Sequence, residues 1–127
     1  RPVDWSLRRH RFARVSSAPP VDATGTAKLW IVSRTLHLRR ERPDLFGDYT
    51  PLRARGPCAD HAVAFDRGGA IAVATRLPVG LERSGGWRET TLSLPPCTDV
   101  FTGRTHAGDV RVADVLRTLP VALLVGI

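Results

Sequence analysis

The sequence predicts an α+β chain in which two helices at the amino end lead into an antiparallel β-sandwich of six to seven strands. Two observations carry that prediction. Apolar residues recur at helical spacing as far as Pro43, and from Gly47 onward they alternate in short runs broken by Gly and Pro. The clearest β pattern lies between His61 and Arg76, where Val63 and Phe65 alternate with Ala62 and Ala64, and Ile71 and Val73 with Ala72 and Ala74. Taking Arg67-Gly68-Gly69 as a three-residue connection pairs Phe65 with Ile71 and Val63 with Val73. The four large side chains then share one face, and the opposite, mostly alanine face invites a covering element.

Asp4 is placed to cap a first helix, W-S-L-R-R-H-R-F-A-R-V, whose Trp5, Leu7 or Arg8, Phe12 and Val15 share one side. Ser16 to Pro20 breaks it, and 21–26 is expected as loop. The second helix, from Ala27 to Arg42, has a stripe of Leu29, Val32 and Leu36 flanked by Ile31, Thr35 and Leu38. Arg39, Arg40 and Arg42 complement the dipole at its carboxyl end, and Pro43 stops it. That apolar face is wide for so small a chain. Part of it, around Leu29, Trp30 and Leu36, is expected to stand uncovered. Next comes a strand from Tyr49 to Ala54, held to a sheet edge by Pro51. The central hairpin and a Gly/Arg-rich loop from Gly80 to Gly86 follow. A strand from Trp87 is expected to end at Pro95-Pro96, and Val100 to Thr102 to form a short strand before turn residues Gly103 to Gly108. Val110 to Val112 and Pro120 to Gly126 complete the sheet.

The 127 residues suit one domain, or one domain with a leading segment, and 43% hydrophobic content supports a core. No apolar run reaches membrane-spanning length, and the polar start lacks a signal-peptide core. With Arg1 first and no methionine, the chain is expected to be a fragment, a processed chain or a trimmed one. The net charge of +7 raises nucleic-acid binding. However, every basic residue but Lys28 is arginine, which with abundant Ala, Gly and Pro fits a GC-rich coding bias. The arginines are also scattered outside the 8–14 and 34–42 stretches, so no nucleic-acid partner is expected. Cys58 and Cys97 fall in no C-x-x-C pattern, and His10, His37, His61 and His106 are dispersed, giving no metal spacing. A disulfide between the two cysteines is one reading, and two unpaired thiols in a reducing cytoplasm the favoured one.

Few constellations offer chemistry. Asp60 and His61 are adjacent, so on a strand they point to opposite faces, and Asp66-Arg67 sits at a hairpin tip. Ser84-Gly85-Gly86 lacks a strand–elbow–helix context, and Glu82, Glu89 and Asp99 lie on separate elements. No catalytic residue and no cofactor is assigned. Trp30 belongs to the apolar helix. Trp87 comes after a glycine loop, where its ring could stack on a sugar face or pack into the core.

The segment A-K-L-W-I-V-S-R-T-L-H-L-R-R-E-R-P-D-L-F-G-D-Y-T-P-L, Ala27 to Leu52, resembles the last barrel helix of α-amylase-type glycosidases together with its exit toward the C-terminal domain. More closely, the chain resembles the malto-oligosyltrehalose synthase family. R-P-V-D-W stands at its head, D-H-A-V-A-F-D-R-G-G runs from Asp60 to Gly69, and T-R-L-P-V-G-L from Thr75 to Leu81. G-G-W-R-E-T-T-L-S-L-P runs from Gly85, T-D-V-F-T-G-R from Thr98, and P-V-A-L-L-V from Pro120. The resemblance covers nearly the whole chain in order. Cys58 and Cys97 depart from the family pattern, at positions expected in loops.

The resemblance implies an intramolecular transglucosylase that converts the reducing-end α-1,4 linkage of a malto-oligosaccharide to α,α-1,1. Its aspartate nucleophile and glutamate acid/base stand on a (β/α)8 barrel, and no residue here matches either motif. It implies that residues 1–46 are the end of the catalytic barrel and 47–127 a C-terminal β-sandwich. The malto-oligosaccharide would be held by the barrel, with which this chain makes an intramolecular contact. Loops after barrel strands line the active site, so Arg1 and Asp4 would be substrate-proximal. The competing reading makes Asp4 a helix cap and Arg1 a frayed end. The resemblance further implies a cytoplasmic location and a structural role, with a free-standing α-glucan-binding module, using Trp87 or Tyr49, as the alternative.

Overall fold

The computed structural model of the chain describes residues 2–14 and 18–127; Arg1 and Val15 lie outside them. Helix α1 (Trp5–Arg14) begins at the expected cap, where Asp4 Oδ1 accepts the main-chain N–H of Leu7 at 2.9 Å. That contact satisfies one of the donors a first turn leaves without a partner. Helix α2 (Thr26–Glu41) comes directly after Gly25, whose φ of 74° is the left-handed geometry glycine adopts without strain. Its end is set by Arg42, whose N–H closes on Leu38 O at 2.7 Å, and by a single 3-10 turn over Pro43–Phe46.

One side of α2 faces the sheet. Ala27, Trp30, Ile31 and Leu38 pack with Leu45, Phe101, Leu119 and Leu123. Trp30 is pinned there, its Nε1 donating to Phe101 O at 3.0 Å while the Arg34 guanidinium lies over its ring. The far side of the same helix mixes charged residues with two apolar ones. Leu36 is 58% exposed and Val32 46%. The expectation of an uncovered apolar face therefore holds at Val32 and Leu36, while Trp30 and Leu29 are half-buried. On α1, Trp5, Leu7 and Phe12 are likewise exposed.

The sheet has six strands, within the expected six to seven: β1 (Thr50–Leu52), β2 (Ala62–Asp66), β3 (Ala70–Thr75), β4 (Thr91–Asp99), β5 (Thr105–Arg111) and β6 (Val121–Gly126). Their order is β1-β2-β3-β6-β4-β5, with every neighbouring pair antiparallel. Pro51 lies on the edge strand β1, as its missing donor requires. The sheet curls on itself, because Arg55 and Thr91 exchange main-chain hydrogen bonds, each 2.8 Å, between the chain after β1 and the start of β4. Inside the curl lie Ile71, Val73, Leu92, Leu94, Val112 and Leu124. Two short helices, α3 (Pro78–Arg83) and α4 (Val112–Val115), cap the connections.

Several local expectations are corrected. Arg67, Gly68 and Gly69 do lie between β2 and β3, but the turn closes over Gly68 and Gly69 alone, which shifts the register by one. Gly68 and Gly69 both take positive φ, and the Arg67 N–H closes on Ala70 O at 2.8 Å. Phe65 therefore opposes Ala72, Ala64 opposes Val73, and Asp66 opposes Ile71. A one-residue change of register moves every side chain of a strand to the other face, so large residues meet alanines and neither face is an alanine face. Strand β4 starts at Thr91 rather than Trp87 and runs through Pro95-Pro96, where the register slips between Leu94 and Cys97. A bulge tolerates the missing proline donors that a regular ladder would not. Val100 to Thr102 is a turn, the expected turn from Gly103 to Gly108 contains the first four residues of β5, and the Gly/Arg-rich loop begins as α3. Cys97 lies in β4 rather than in a loop. Both thiols are buried and unpaired.

Candidate functional site

Asp4 lies in a groove of about 390 Å³ between the amino ends of α1 and α2, lined also by Leu7, Arg8, Arg11, Thr24 and Lys28. The groove exists because two chain turns fix both helix starts. Asp4 caps α1, and Asp22 accepts the Thr24 N–H at 2.9 Å just ahead of Gly25. The Thr24 hydroxyl and N–H hold the exposed Asp22 carboxyl below its usual range. The Arg11 guanidinium, from the carboxyl half of α1, donates to Thr24 O and ties α1 to the chain just ahead of α2. One carboxylate, that of Asp4, stands here among the cations of Arg8, Arg11 and Lys28, and the first turns of both helices add their positive dipole ends. Among the described residues the groove's lining holds no second carboxyl and no nucleophile–base couple. Asp4 is therefore both the helix cap and a wall of this groove, while Arg1 lies outside the described residues.

Trp87 is half-buried and packs against the core inside the curl. The other acid/base candidates are not brought together. Asp66 Oδ1 accepts the N–H groups of Gly68 and Gly69 at 2.9 and 2.8 Å and so builds the turn. His61 Nδ1 lies 3.0 Å from Arg76 O, and Asp60 is exposed. Glu82 on α3 and Glu89 just ahead of β4 are both exposed. Among the described residues no group of His, Cys, Asp and Glu has the arrangement of a metal site, and no helix is long and apolar enough to cross a membrane. The Ser84 hydroxyl and the Arg88 guanidinium bring the Cys58 thiol below its ordinary range, but the sulfur is closed off at 2% exposure.

Sequence reasoning missed the polar core at the β4–β5 end, where Asp99, Cys97 and His106 are all buried. Asp99 Oδ1 accepts the Phe101 N–H at 2.9 Å, while burial pushes its carboxyl up. Burial, helped by Arg104, pushes His106 down against the opposing charges of Asp99 and Asp114, and its Nε2 has no hydrogen-bond partner among the described residues. The alternation of C-T-D across Cys97 to Asp99 places cysteine and aspartate on one face, but Pro95-Pro96 conceals the strand. His106 resists protonation in the fold, so its contribution is full above the ordinary imidazole value of about 6.5 and is lost as pH falls through its lowered folded value. Asp99, raised by burial, acts in the opposite sense, favouring the fold below its ordinary carboxyl range. His106→Gln is expected to flatten the decline of the urea midpoint below about pH 6.5; an unchanged decline would remove His106 as its source.

No family model matches the chain. Over 130 residues it is 41% identical to a protein of Mycobacterium tuberculosis provisionally named maltooligosyl trehalose synthase, in strains CDC 1551 and H37Rv alike, covering 98% of this chain and 16% of that protein. The structure of maltooligosyltrehalose synthase from Arthrobacter ramosus superposes with a TM-score of 0.92 at 49% identity, covering 98% of this chain and 17% of that one. The chain is homologous to a segment of maltooligosyltrehalose synthase. The structure of a mutant of the Arthrobacter enzyme matches equally well. The α+β fold resembles the C-terminal domain of maltooligosyltrehalose synthase. The chain spans about one-sixth of the length of these synthases, so most of a synthase has no counterpart in it.

Proposed function

We propose that the chain serves as the C-terminal portion of a maltooligosyltrehalose synthase. In this reading residues 1–46 end the catalytic barrel and 47–127 form the C-terminal sandwich. The whole enzyme rearranges the reducing-end α-1,4 linkage of a malto-oligosaccharide to α,α-1,1 by intramolecular transglucosylation, in the cytoplasm. A covalent glucosyl intermediate needs two carboxyls close together. Among the described residues the buried carboxyl, Asp99, is committed to the Phe101 turn, so the role of this segment is structural. The observation that carries the reading is the match along 98% of the chain at a TM-score of 0.92.

The two-sided apolar helix α2 supports it. Besides the side that packs on the sheet, α2 carries Val32 and Leu36 exposed among charged residues, and apolar side chains on a second side fit a second packed surface. With Trp5, Leu7 and Phe12 they form the surface on which the rest of the synthase would pack, leaving Asp4 at the catalytic end of the barrel. Incubated alone with maltopentaose, the chain is expected to leave the reducing ends unchanged. Co-expressed with the remaining, barrel-bearing portion of a homologous synthase, it should restore their loss. Conversion by the pure chain, or a barrel portion indifferent to it, would overturn the structural role.

A further inference from the structure

The sheet edge at β1 carries an open groove of about 370 Å³, at the small end of the usual range for ligand sites. Tyr49 forms one wall. Its ring stacks on Phe65 at 5.3 Å between centroids, and the side chain is still 64% exposed. One face of the ring is thus held in place and the rest is open, which lowers the entropy lost on binding. Pro51 and Val63 continue the apolar surface along the groove. The β1–β2 ladder ends at Leu52 opposite Ala64, so beyond it the groove separates two main-chain segments that no longer pair. Asp60, Arg53 and Arg76 stand along its rim, and Arg76 Nη1 reaches Asp60 O at 3.4 Å.

An aromatic wall beside a carboxylate and guanidinium groups suits a ligand with a flat C–H face and vicinal hydroxyls. A pyranose has both. We infer that this groove binds a short stretch of α-1,4-glucan, with Tyr49 as the stacking platform and Asp60 and Arg76 engaging the hydroxyls. The choice of α-1,4-glucan among carbohydrates rests on the synthase reading above. The groove lies on the sheet edge, whereas the groove at Asp4 lies between the amino ends of the helices. It would hold a second part of the chain substrate, or a second chain, away from the reacting end.

The test is a titration of the 127-residue chain with maltoheptaose, monitored by amide chemical shifts and calorimetry. Saturable binding is expected, with shifts centred on residues 49–53 and 60–63. Tyr49→Ala should weaken it by about tenfold, the upper end of what one aromatic contact contributes, while Tyr49→Phe retains it and Asp60→Asn weakens it. Far-ultraviolet dichroism shows whether each variant is folded. Absence of saturable binding up to about 10 mM would overturn the proposal. So would equal binding of cellohexaose, or affinity unchanged in both folded Tyr49→Ala and Asp60→Asn. Failure here would leave the complementation of the barrel portion untouched. Failed complementation with Tyr49-dependent binding intact would instead count against the synthase role and favour a glucan-binding module.

Discussion

Replacing Leu124 by alanine is expected to cost about 2–5 kcal/mol, the range for deleting a large buried aliphatic side chain. Leu124 lies on β6 between Ile71 of β3 and Asp99 of β4, with no exposed surface, inside the cluster formed with Val73, Leu92 and Val112. Strand β6 joins the two halves of the sheet, so a cavity there is not one that an edge can relax. Against a typical total of about 5–15 kcal/mol, the loss should lower the urea midpoint by roughly 1–3 M with an unchanged slope. Leu36→Ala is the control. Leu36 is similar in size but mostly exposed, and its loss should fall within about 0.5 kcal/mol. Equal costs at the two positions would mean that Leu36 is covered in solution, and that the far face of α2 has found a partner, such as a second copy of the chain.

The sequence made legible those features that one residue or one period decides alone. Asp4 caps α1, Pro43 ends α2, and Pro51 marks an edge, because each of these is a local donor or geometry argument. The hairpin was legible as an element but not in its register. Three residues, Arg67 to Gly69, and two residues, Gly68-Gly69, are both chemically reasonable connections, and only the closing Arg67–Ala70 hydrogen bond distinguishes them. The same limit applies at Pro95-Pro96. A proline pair ordinarily ends a ladder, and only a bulge allows β4 to continue. Gly108 resembles a turn residue and instead lies inside β5 with φ of 80°. At the candidate sites, the cap role of Asp4 was readable from the sequence. The groove it lines was not, since that groove depends on how α1 lies against α2. Tyr49 was recognised as an aromatic near an edge, but its support by Phe65 and its proximity to Asp60 and Arg76 arise from pairing between distant segments.

Closure of the sheet should depend on Gly56. Its φ is +117°, and a methyl group built there would stand 2.9 Å from Thr90 Cα and 3.3 Å from Thr90 N. Both obstacles are backbone, so no rotamer change relieves them. The segment around Gly56 is also clamped to the strand it would push. Arg55 and Thr91 exchange two hydrogen bonds, Cys58 N–H donates to Thr90 Oγ1 at 3.0 Å, and Val112 N–H donates to Thr90 O at 3.0 Å. Gly56→Ala adds a conformational penalty of about 1–2 kcal/mol to the weakening of contacts worth about 0.5–1.5 kcal/mol each. A total of about 2–4 kcal/mol is expected. Gly85→Ala separates the two effects. Gly85 has a φ of +91° but nothing within 4 Å of the added methyl, so only the backbone penalty of about 1–2 kcal/mol remains. The urea midpoint should therefore fall further for Gly56→Ala than for Gly85→Ala. Hydrogen exchange at the Thr91 amide should accelerate in the first variant and not in the second, relative to global unfolding. If the two variants match in both measurements, the Arg55–Thr91 bridge does not hold the curl, and the buried side chains around Leu124 close the sheet without it.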